Sequence, residues 1–421
     1  MDRRHIAACL TGAFLIAARA GAIDWNTPEP VVEAAIAAAP SLHEIDARIA
    51  AARARVAGAG TLPNPMLMAG VQNRQIDLSA DPMTMYMVGA SQTFVRRGRR
   101  ETSQRAAALD VQQLEREREV RVAEVRRDVL IAYDEAASAA NQIAANEEIA
   151  TLVASTGEAA RIRYETGFAP QIDMIRAKLE ETNVRHAILM QRGALQQARA
   201  RLRALLLLPA DAEIPSFALT HSMEHHGGET SIASGMAQAP PSTAVPEAAA
   251  ARAEAEIRMA KLIAKPDVNL EASYGFRPQQ KDMFSVVARI ELPVRRTAIE
   301  PRIAQATAER DAALAQIDVV RQQLQVELGK AIAQRDEAVE QINLHVDLLV
   351  PEAKLGFDSA LASYQSGKTS FDSVIGALQT YRSLQVDYYD FLRQLLVSEA
   401  LIDAIQHGSV STVVPEMGGA R

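Results

Sequence analysis

The sequence predicts a mainly α-helical protein with a small β part, built as a tandem repeat of helix, β-hairpin, long helix and helix. The composition is 48% hydrophobic but only 4% aromatic, and alanine, which favours closely packed helices, supplies much of the difference. Residues 268–276 and 284–292 alternate between apolar and polar side chains, as strands with one apolar face do. The same order of elements occurs twice in the chain.

The first residues have the anatomy of a secretory signal, which we place at residues 1–20. MDRRH is a positively charged start, residues 6–17 are mostly apolar, and Ala18-Arg19-Ala20 forms a small-x-small cleavage site. The single cysteine, Cys9, follows Ile6-Ala7-Ala8 as in a lipoprotein box, but almost no apolar run precedes it. This favours export without lipidation, and one cysteine cannot form an intramolecular disulfide.

The first repeat is predicted to occupy residues 21–208. A helix over Pro30–Ala59 precedes a hairpin at about 65–95, whose strands cover Met66–Asn73 and Met83–Val95. No glycine or proline interrupts the apolar spacing from Arg99 until Gly157, and the helix is expected to reach Tyr164. Such a helix is a rod of about 95 Å. A break at 165–170 and a helix over Gln171–Leu208 complete the repeat.

A linker rich in Pro, Gly, Ser and His follows at 209–245, and the second repeat is predicted to occupy 246–406. Its elements are a helix over Pro246–Ala264, a hairpin at about 267–293, a long helix over Ile299–Tyr364, a break and a final helix to Gln406. A disordered tail is expected at 407–421. The duplication is indicated by Tyr164 and Gly167, which match Tyr364 and Gly367, each 200 positions later.

Two hairpins cannot close a sheet alone, because small barrels need about eight strands. A symmetric oligomer could close the sheet by sharing strands, and three copies would supply about twelve. Together with the signal peptide and the long helices, such a barrel suggests an outer-membrane conduit. The apolar residues from Val268 to Leu292 would then face lipid. The net charge of −7 disfavours nucleic acid as a partner. No nucleophile elbow, phosphate loop or zinc-binding motif occurs, so we expect no enzyme activity and no cofactor.

Several segments in this order resemble the TolC-like outer-membrane efflux family: LPNPML, GASQTFVRRGRR, RYETGFAPQIDMIRAKLE and ASYQSGKTSFDSVIGALQTYRSLQVDYYDFLR. The resemblance implies a homotrimer in outer-membrane lipid, in which the four strands of each chain contribute to a trimeric 12-stranded outer-membrane barrel on a periplasmic α-helical barrel. It also implies docking of a periplasmic adaptor (membrane fusion) protein and an inner-membrane transporter of the RND type. The first hairpin is similar to those of channels that serve heavy-metal efflux pumps, which favours heavy-metal ions as cargo. The alternatives are a channel for drugs or type I protein secretion and, in a different class, a periplasmic coiled-coil adaptor or scaffold.

The resemblance also implies functional residues at the two helix-to-helix breaks. The expected periplasmic tip and adaptor contacts are Tyr164, Gly167, Phe168, Tyr364, Gly367 and Lys368. The gate candidates are Asp372, one position off the family pattern, and Asp173, taken as its counterpart in the first repeat. In the plainer interpretation, the glycines supply a positive φ and an acidic residue only complements the helix N-terminus.

Two further groups of residues are weaker candidates. Arginines where each hairpin becomes a long helix either form a solvated basic run or lie at the level of lipid headgroups: Arg96, Arg97, Arg99, Arg100, Arg295 and Arg296. Imidazoles and a thioether in the linker could bind a soft metal: His221, Met223, His225 and His226. The methionines of the first hairpin suit apolar filling as well as metal binding: Met66, Met68, Met83, Met85 and Met87.

Overall fold

The computed structural model describes residues 23–73, 83–215, 241–263, 265–278, 280–290 and 299–407. These residues form two compact units. One unit takes its described residues from 23–42, 119–215 and 322–407, and the other from 43–118 and 241–321. Each unit therefore contains segments of both sequence repeats.

The described chain is mainly helical with four strands, which confirms the predicted fold class. The elements in order are α1 (Pro28–Ala38), α2 (Pro40–Ala59), β1 (Met66–Gln72), β2 (Met85–Phe94), α3 (Arg97–Glu165), α4 (Gln171–Leu205), α5 (Pro241–Ile263), β3 (Val268–Phe276), β4 (Met283–Ile290), α6 (Glu300–Leu344), a π-helical segment (His345–Leu349), α7 (Val350–Gln365) and α8 (Phe371–Gln406). No described helix combines the length and the apolar character that crossing a bilayer requires.

Two predicted helix boundaries near prolines are wrong. The helix expected over Pro30–Ala59 divides at Ala39, whose ψ of 116° is not helical. Pro40 follows, and the residue before a proline is sterically driven out of the α region. The helix expected to start at Pro246 begins at Pro241 instead, and Pro246 lies inside it. Both prolines suit a first helical turn, but the earlier one starts the helix.

The predicted helix over Ile299–Tyr364 is also not continuous. It contains the π-helical segment, whose last bond runs from the backbone N–H of Val350 to the carbonyl of His345. Pro351 explains the change of winding, because it has no N–H for the carbonyl of Asp347 and its ring crowds that carbonyl.

The four strands form one antiparallel sheet in the order β1-β2-β3-β4. Strands β2 and β3 join the two hairpins, with Ala90 opposite Ala272. Opposing residues share a face, so the register defines an apolar face, which carries Leu67, Ala69, Val71, Tyr86, Val88, Ala90, Gln92, Phe94, Val268, Leu270, Ala272, Tyr274, Phe276, Phe284, Val286, Ala288 and Ile290. The polar face carries the alternate residues of each strand.

Strands β2 and β3 approach each other closely on the polar face at Gly89. A Cβ placed on Gly89 would lie 2.8 Å from the Cβ of Ser273, whereas opposing Cβ atoms normally lie about 4.5–5.5 Å apart. Glycine at position 89 therefore permits the close approach of β2 and β3 on this face.

The helical unit has several apolar cores. Near α1, Val31 and Val32 pack with Val129 of α3 and Leu202 of α4. A second core joins α3, α4, α7 and α8 through Ile149, Val153, Ala160, Ala177, Val184, Phe357, Tyr364, Phe371, Val374, Leu378 and Tyr381. This second core holds the two helix-to-helix turns in place.

Candidate functional site

Two turns with the same backbone geometry join α3 to α4 and α7 to α8. We call residues 165–170 the first tip turn and residues 365–370 the second tip turn. Gly167 has a φ of 78° and Gly367 a φ of 77°. Each glycine N–H donates to the carbonyl of the tyrosine three residues earlier, at 2.9 Å. A left-handed residue ends each helix, and glycine is the residue that adopts this conformation without a steric penalty.

The residue after each glycine completes the turn and differs between the repeats. The N–H of Phe168 donates to the carbonyl of Arg163, and that of Lys368 to the carbonyl of Ser363, both at 2.8 Å. Phe168 is 75% exposed, and Lys368 is also exposed. The two tip turns therefore present an aromatic ring and a cation at equivalent positions, while Tyr164 beside them is also exposed.

Tyr364 is buried, unlike Tyr164 at the equivalent position of the first repeat. Its side chain is only 2% exposed, its hydroxyl donates to Oδ2 of Asp173 at 3.0 Å, and its ring centroid lies 5.1 Å from that of Phe371. Burial, and then the bond to Asp173, raise the pKa of Tyr364 to about 12. Because Tyr364 is buried within the chain, it offers no exposed ring in this structure, and the expected adaptor contact of this residue stays a prediction.

Arg163 connects the two tip turns. Its guanidinium donates to the carbonyl of Tyr364 at 2.6 Å, to that of Gln365 at 3.1 Å and to that of Phe168 at 3.2 Å. The same group lies 4.8 Å from the centroid of the Tyr364 ring, within the range of a cation–π contact. Sequence reasoning missed Arg163. A comparison of the two repeats could have drawn attention to Arg163, because the equivalent residue of the second repeat is the uncharged Ser363.

The two gate candidates have different surroundings. Asp173 is buried against Tyr364, whereas Asp372 is exposed and forms an ion pair with Arg176. They are not counterparts, which corrects the sequence alignment of the repeats. The N–H of Asp173 donates to Pro170 and that of Ser373 to Ser370, both at 3.2 Å, so Ser373 occupies the position of Asp173.

Glu180 is a buried carboxylate that sequence reasoning did not single out. It is 2% exposed, accepts a hydrogen bond from the amide of Gln379 at 2.8 Å and lies 3.0 Å from the guanidinium of Arg382. Asp173, Arg176 and Glu180 follow at spacings of three and four residues, so they share one face of α4. All three bind residues of α7 or α8, which fastens the second pair of helices to the first.

The arginines at the end of β2 divide into exposed and anchored groups. Arg96 and Arg97 are exposed, and Arg97 pairs with Glu101 at 2.8 Å. Arg99 instead lies 2.6 Å from Asp267, which also accepts the backbone N–H of Arg96 at 3.1 Å. Arg100 is half-buried. A position at the lipid headgroups stays a prediction for these residues, and Arg295 and Arg296 lie outside the described residues.

The proposed metal ligands of the linker, His221, Met223, His225 and His226, also lie outside the described residues, as do the predicted signal peptide and residues 408–421. Within the part of the chain that the structure describes, no group of three or more His, Cys, Asp or Glu side chains is arranged to hold a metal ion.

Residues 31–206 match the model of the family described as outer membrane efflux protein. The matched range lies within the predicted first repeat. The resemblance drawn from the sequence motifs is thereby confirmed. No curated protein has a detectable sequence match to the chain.

Three solved channel structures show that the fold extends over nearly the whole chain. CusC has a TM-score of 0.79 and 17% identity, over 91% of this chain and 92% of CusC. VceC of Vibrio cholerae has a TM-score of 0.75 and 18% identity, over 91% and 97% of the two chains. The open state of the MtrE outer-membrane channel of Neisseria gonorrhoeae has a TM-score of 0.76 and 16% identity, over 92% and 90%. At these identities the similarity is one of fold.

Proposed function

We propose that the protein is the outer-membrane channel of a tripartite efflux system, a passive exit duct that extends through the periplasm. The faces of its sheet carry this proposal. On the apolar face, Leu67 is 86% exposed and Val286 65%, while Ser91, Glu271 and Ser273 on the polar face are buried. Exposed apolar surface is costly in water, whereas a membrane barrel places it against lipid.

The distribution of aromatic residues supports the same orientation. Tyr86 pairs with Phe276 and Tyr274 with Phe284, so four aromatic rings lie together at the loop end of the apolar face. Phe94 lies at the opposite end of that face, just before the exposed Arg96. Aromatic residues concentrate at the two water interfaces of membrane barrels. The two ends of the apolar face therefore correspond to the two membrane boundaries.

The open edges of the sheet support assembly as a homotrimer. β1 and β4 are the edge strands, and they run antiparallel to each other because the sheet contains four alternating strands. β4 of one copy can therefore pair antiparallel with β1 of the next, and three copies close a barrel of about twelve strands without an exposed edge.

The tip turns are proposed to be the periplasmic end, where an adaptor protein docks and an inner-membrane transporter of the RND type delivers the cargo. Phe168 and Lys368 offer exposed contact groups for the adaptor. The contacts of Arg163, Asp173 and Arg176 with α7 and α8 would hold the entrance closed and break when it opens. We propose heavy-metal ions as the cargo, in keeping with the resemblance of the first hairpin.

Cell fractionation followed by electrophoresis of unboiled samples tests the channel assignment. We expect the protein in the outer-membrane fraction, migrating as a trimer that becomes a monomer on boiling. A soluble monomer would contradict the assignment and favour a periplasmic scaffold.

Growth of a strain that lacks the gene tests the cargo. We expect increased sensitivity to copper, silver, zinc or cobalt and no change with a panel of dyes and drugs. Increased sensitivity to dyes or drugs but not to metal ions would contradict metal export and indicate that the cargo is drugs. Unchanged sensitivity with loss of a secreted protein would favour type I secretion.

A further inference from the structure

The methionines of the sheet all lie on its polar face. In the described strands, the register puts five methionines on the same face as Ser91, Ser273 and Gly275 rather than on the apolar face: Met66, Met68, Met85, Met87 and Met283. Methionine that only fills apolar space would belong on the opposite face, which the proposed barrel turns towards lipid. Five thioethers on the face that would line the channel therefore call for another explanation.

Three of these methionines surround Gly275. Met87 and Met283 are its direct partners on the two neighbouring strands, so their Cα atoms lie about 10 Å apart across the glycine. The sulfur of Met85 occupies the space above Gly275, since a Cβ placed on the glycine would overlap it. Because Gly275 has no side chain, the thioethers of Met85, Met87 and Met283 can converge over one point of the sheet.

The chemistry of this cluster is selective. Thioether sulfur is an uncharged, soft ligand that suits monovalent copper, while carboxylate and water suit hard divalent ions. The described residues contain no competing cluster of carboxylates, imidazoles or thiols. Met85 and Met87 are half-buried and Met283 is exposed, so a cation on the polar face can reach them.

We propose that Met85, Met87 and Met283 form a soft-cation site at the loop end of the sheet, which takes a monovalent copper or silver ion as it passes through the channel. This inference rests on the proposed function, because it needs the polar face to line a channel. The site lies at the loop end of the hairpins, where cargo would leave the barrel. A binding site on an exit path must release its ion, so we expect modest affinity.

Silver titration of the purified full-length protein in detergent and nitrate buffer tests the site by calorimetry. All proteins carry Cys9→Ser, so that a chain that retains the predicted signal peptide brings no competing thiol. We expect the triple variant Met85→Leu/Met87→Leu/Met283→Leu to lose about tenfold or more in silver affinity. The matched control, Met66→Leu/Met68→Leu, alters two methionines of the same face and should bind like the parent protein.

Two further measurements separate this site from other silver ligands. Thioethers carry no proton at working pH, so binding at the methionines should be equal at about pH 5.5 and 7.5, whereas binding by the linker histidines weakens in acid. Gly275→Ala keeps every sulfur but fills the space under Met85, so it should also weaken binding. Equal silver affinity of the triple variant and the parent would overturn the proposal.

Conductance in planar bilayers separates failure of the site from failure of the channel. If the parent forms pores in potassium nitrate but the triple variant binds silver equally well, the site is wrong and the channel stands. If the parent forms no pores, the channel assignment fails, and silver bound at the methionines would have no role in export.

Discussion

Tyr364 illustrates how one residue type takes two roles in the two repeats. Tyr164, at the equivalent position, is exposed beside the first tip turn. Tyr364 is buried, and it contacts Asp173 through its hydroxyl and Arg163 through its ring. Arg163, which contacts Tyr364, has no counterpart in the second repeat, where the position is Ser363. The contacts proposed to close the entrance are therefore not repeated in the two halves of the chain.

Tyr364→Phe should open the entrance. The variant keeps the ring but leaves the buried carboxylate of Asp173 without the tyrosine hydroxyl, a loss of about 1–3 kcal/mol. We expect a higher mean single-channel conductance in planar bilayers and a lower melting temperature. The control is Tyr164→Phe, which removes an exposed hydroxyl and should change neither quantity. Equal behaviour of the two variants would show that the Tyr364 hydroxyl does not hold the entrance.

A second buried carboxyl should make stability depend on pH. Burial, and then the nearby Glu399 and Glu135, raise the pKa of Asp134 in α3 to about 8. The raised value means that the folded state favours the neutral acid. Its contribution to stability is complete below the ordinary pKa near 4 and is lost as the pH rises towards 8, by about 1.4 kcal/mol per pH unit.

Asp134→Asn should remove this pH dependence. Thermal unfolding in detergent should show a higher melting temperature for the variant at about pH 7.5 and little difference at about pH 4. The control is Asp318→Asn, the same substitution at a side chain that is 82% exposed, and it should change the melting temperature little at either pH. A stability gain of the asparagine variant that is the same at both pH values would contradict the assigned cause.

At the scale of elements, the two tip turns share one backbone conformation but differ in the side chain that follows the glycine. Both glycines take a positive φ, so the geometry is the same in the two repeats although Phe168 and Lys368 differ. A rigid turn that presents different side chains suits docking. The glycine supplies the turn, and in the proposed function the next residue supplies the contact surface for the adaptor.

Alanine substitutions should distinguish turn glycines from helix glycines. Gly167→Ala and Gly367→Ala should each lower the free energy of unfolding by about 1–2 kcal/mol, because alanine is strained at positive φ. Gly193→Ala, in the middle of α4 with open space around the added Cβ, should raise it by about 0.5–1 kcal/mol. Chemical denaturation of the three variants measures the difference. Similar stability changes at all three positions would contradict the role of the backbone conformation.

The predictability of each element follows from the range of the interactions that form it. β3 was predicted residue for residue, because the alternation from Val268 to Phe276 is a local pattern. The division at Ala39 and the π-helical segment depend on Pro40 and Pro351, which are local signals that the apolar periodicity concealed. The contacts of Arg163 and Glu180 join residues about 200 positions apart, and no local pattern could specify these partners.

At the scale of the whole molecule, the sheet is a fragment that needs other copies. Its apolar face is largely exposed, its polar face is buried at Ser91, Glu271 and Ser273 of the central strands, and the outer edges of β1 and β4 have no strand partner within the described chain. A soluble protein would reverse the faces and cover the edges. A closed trimeric barrel in a membrane would place the apolar face against lipid and pair the outer edges of β1 and β4. This is the central claim of the account.

Adjacent lysine substitutions on β4 test that claim most directly. Val286 and Ser285 are neighbours on opposite faces of the sheet. Val286→Lys should prevent assembly, since lysine against lipid costs about 2–4 kcal/mol per copy near the bilayer centre, while Ser285→Lys should be tolerated in the lumen. The measurement is the amount of heat-dissociable trimer in outer-membrane fractions. The account predicts trimer for the parent protein and Ser285→Lys but not for Val286→Lys; equal amounts for the two variants would contradict it.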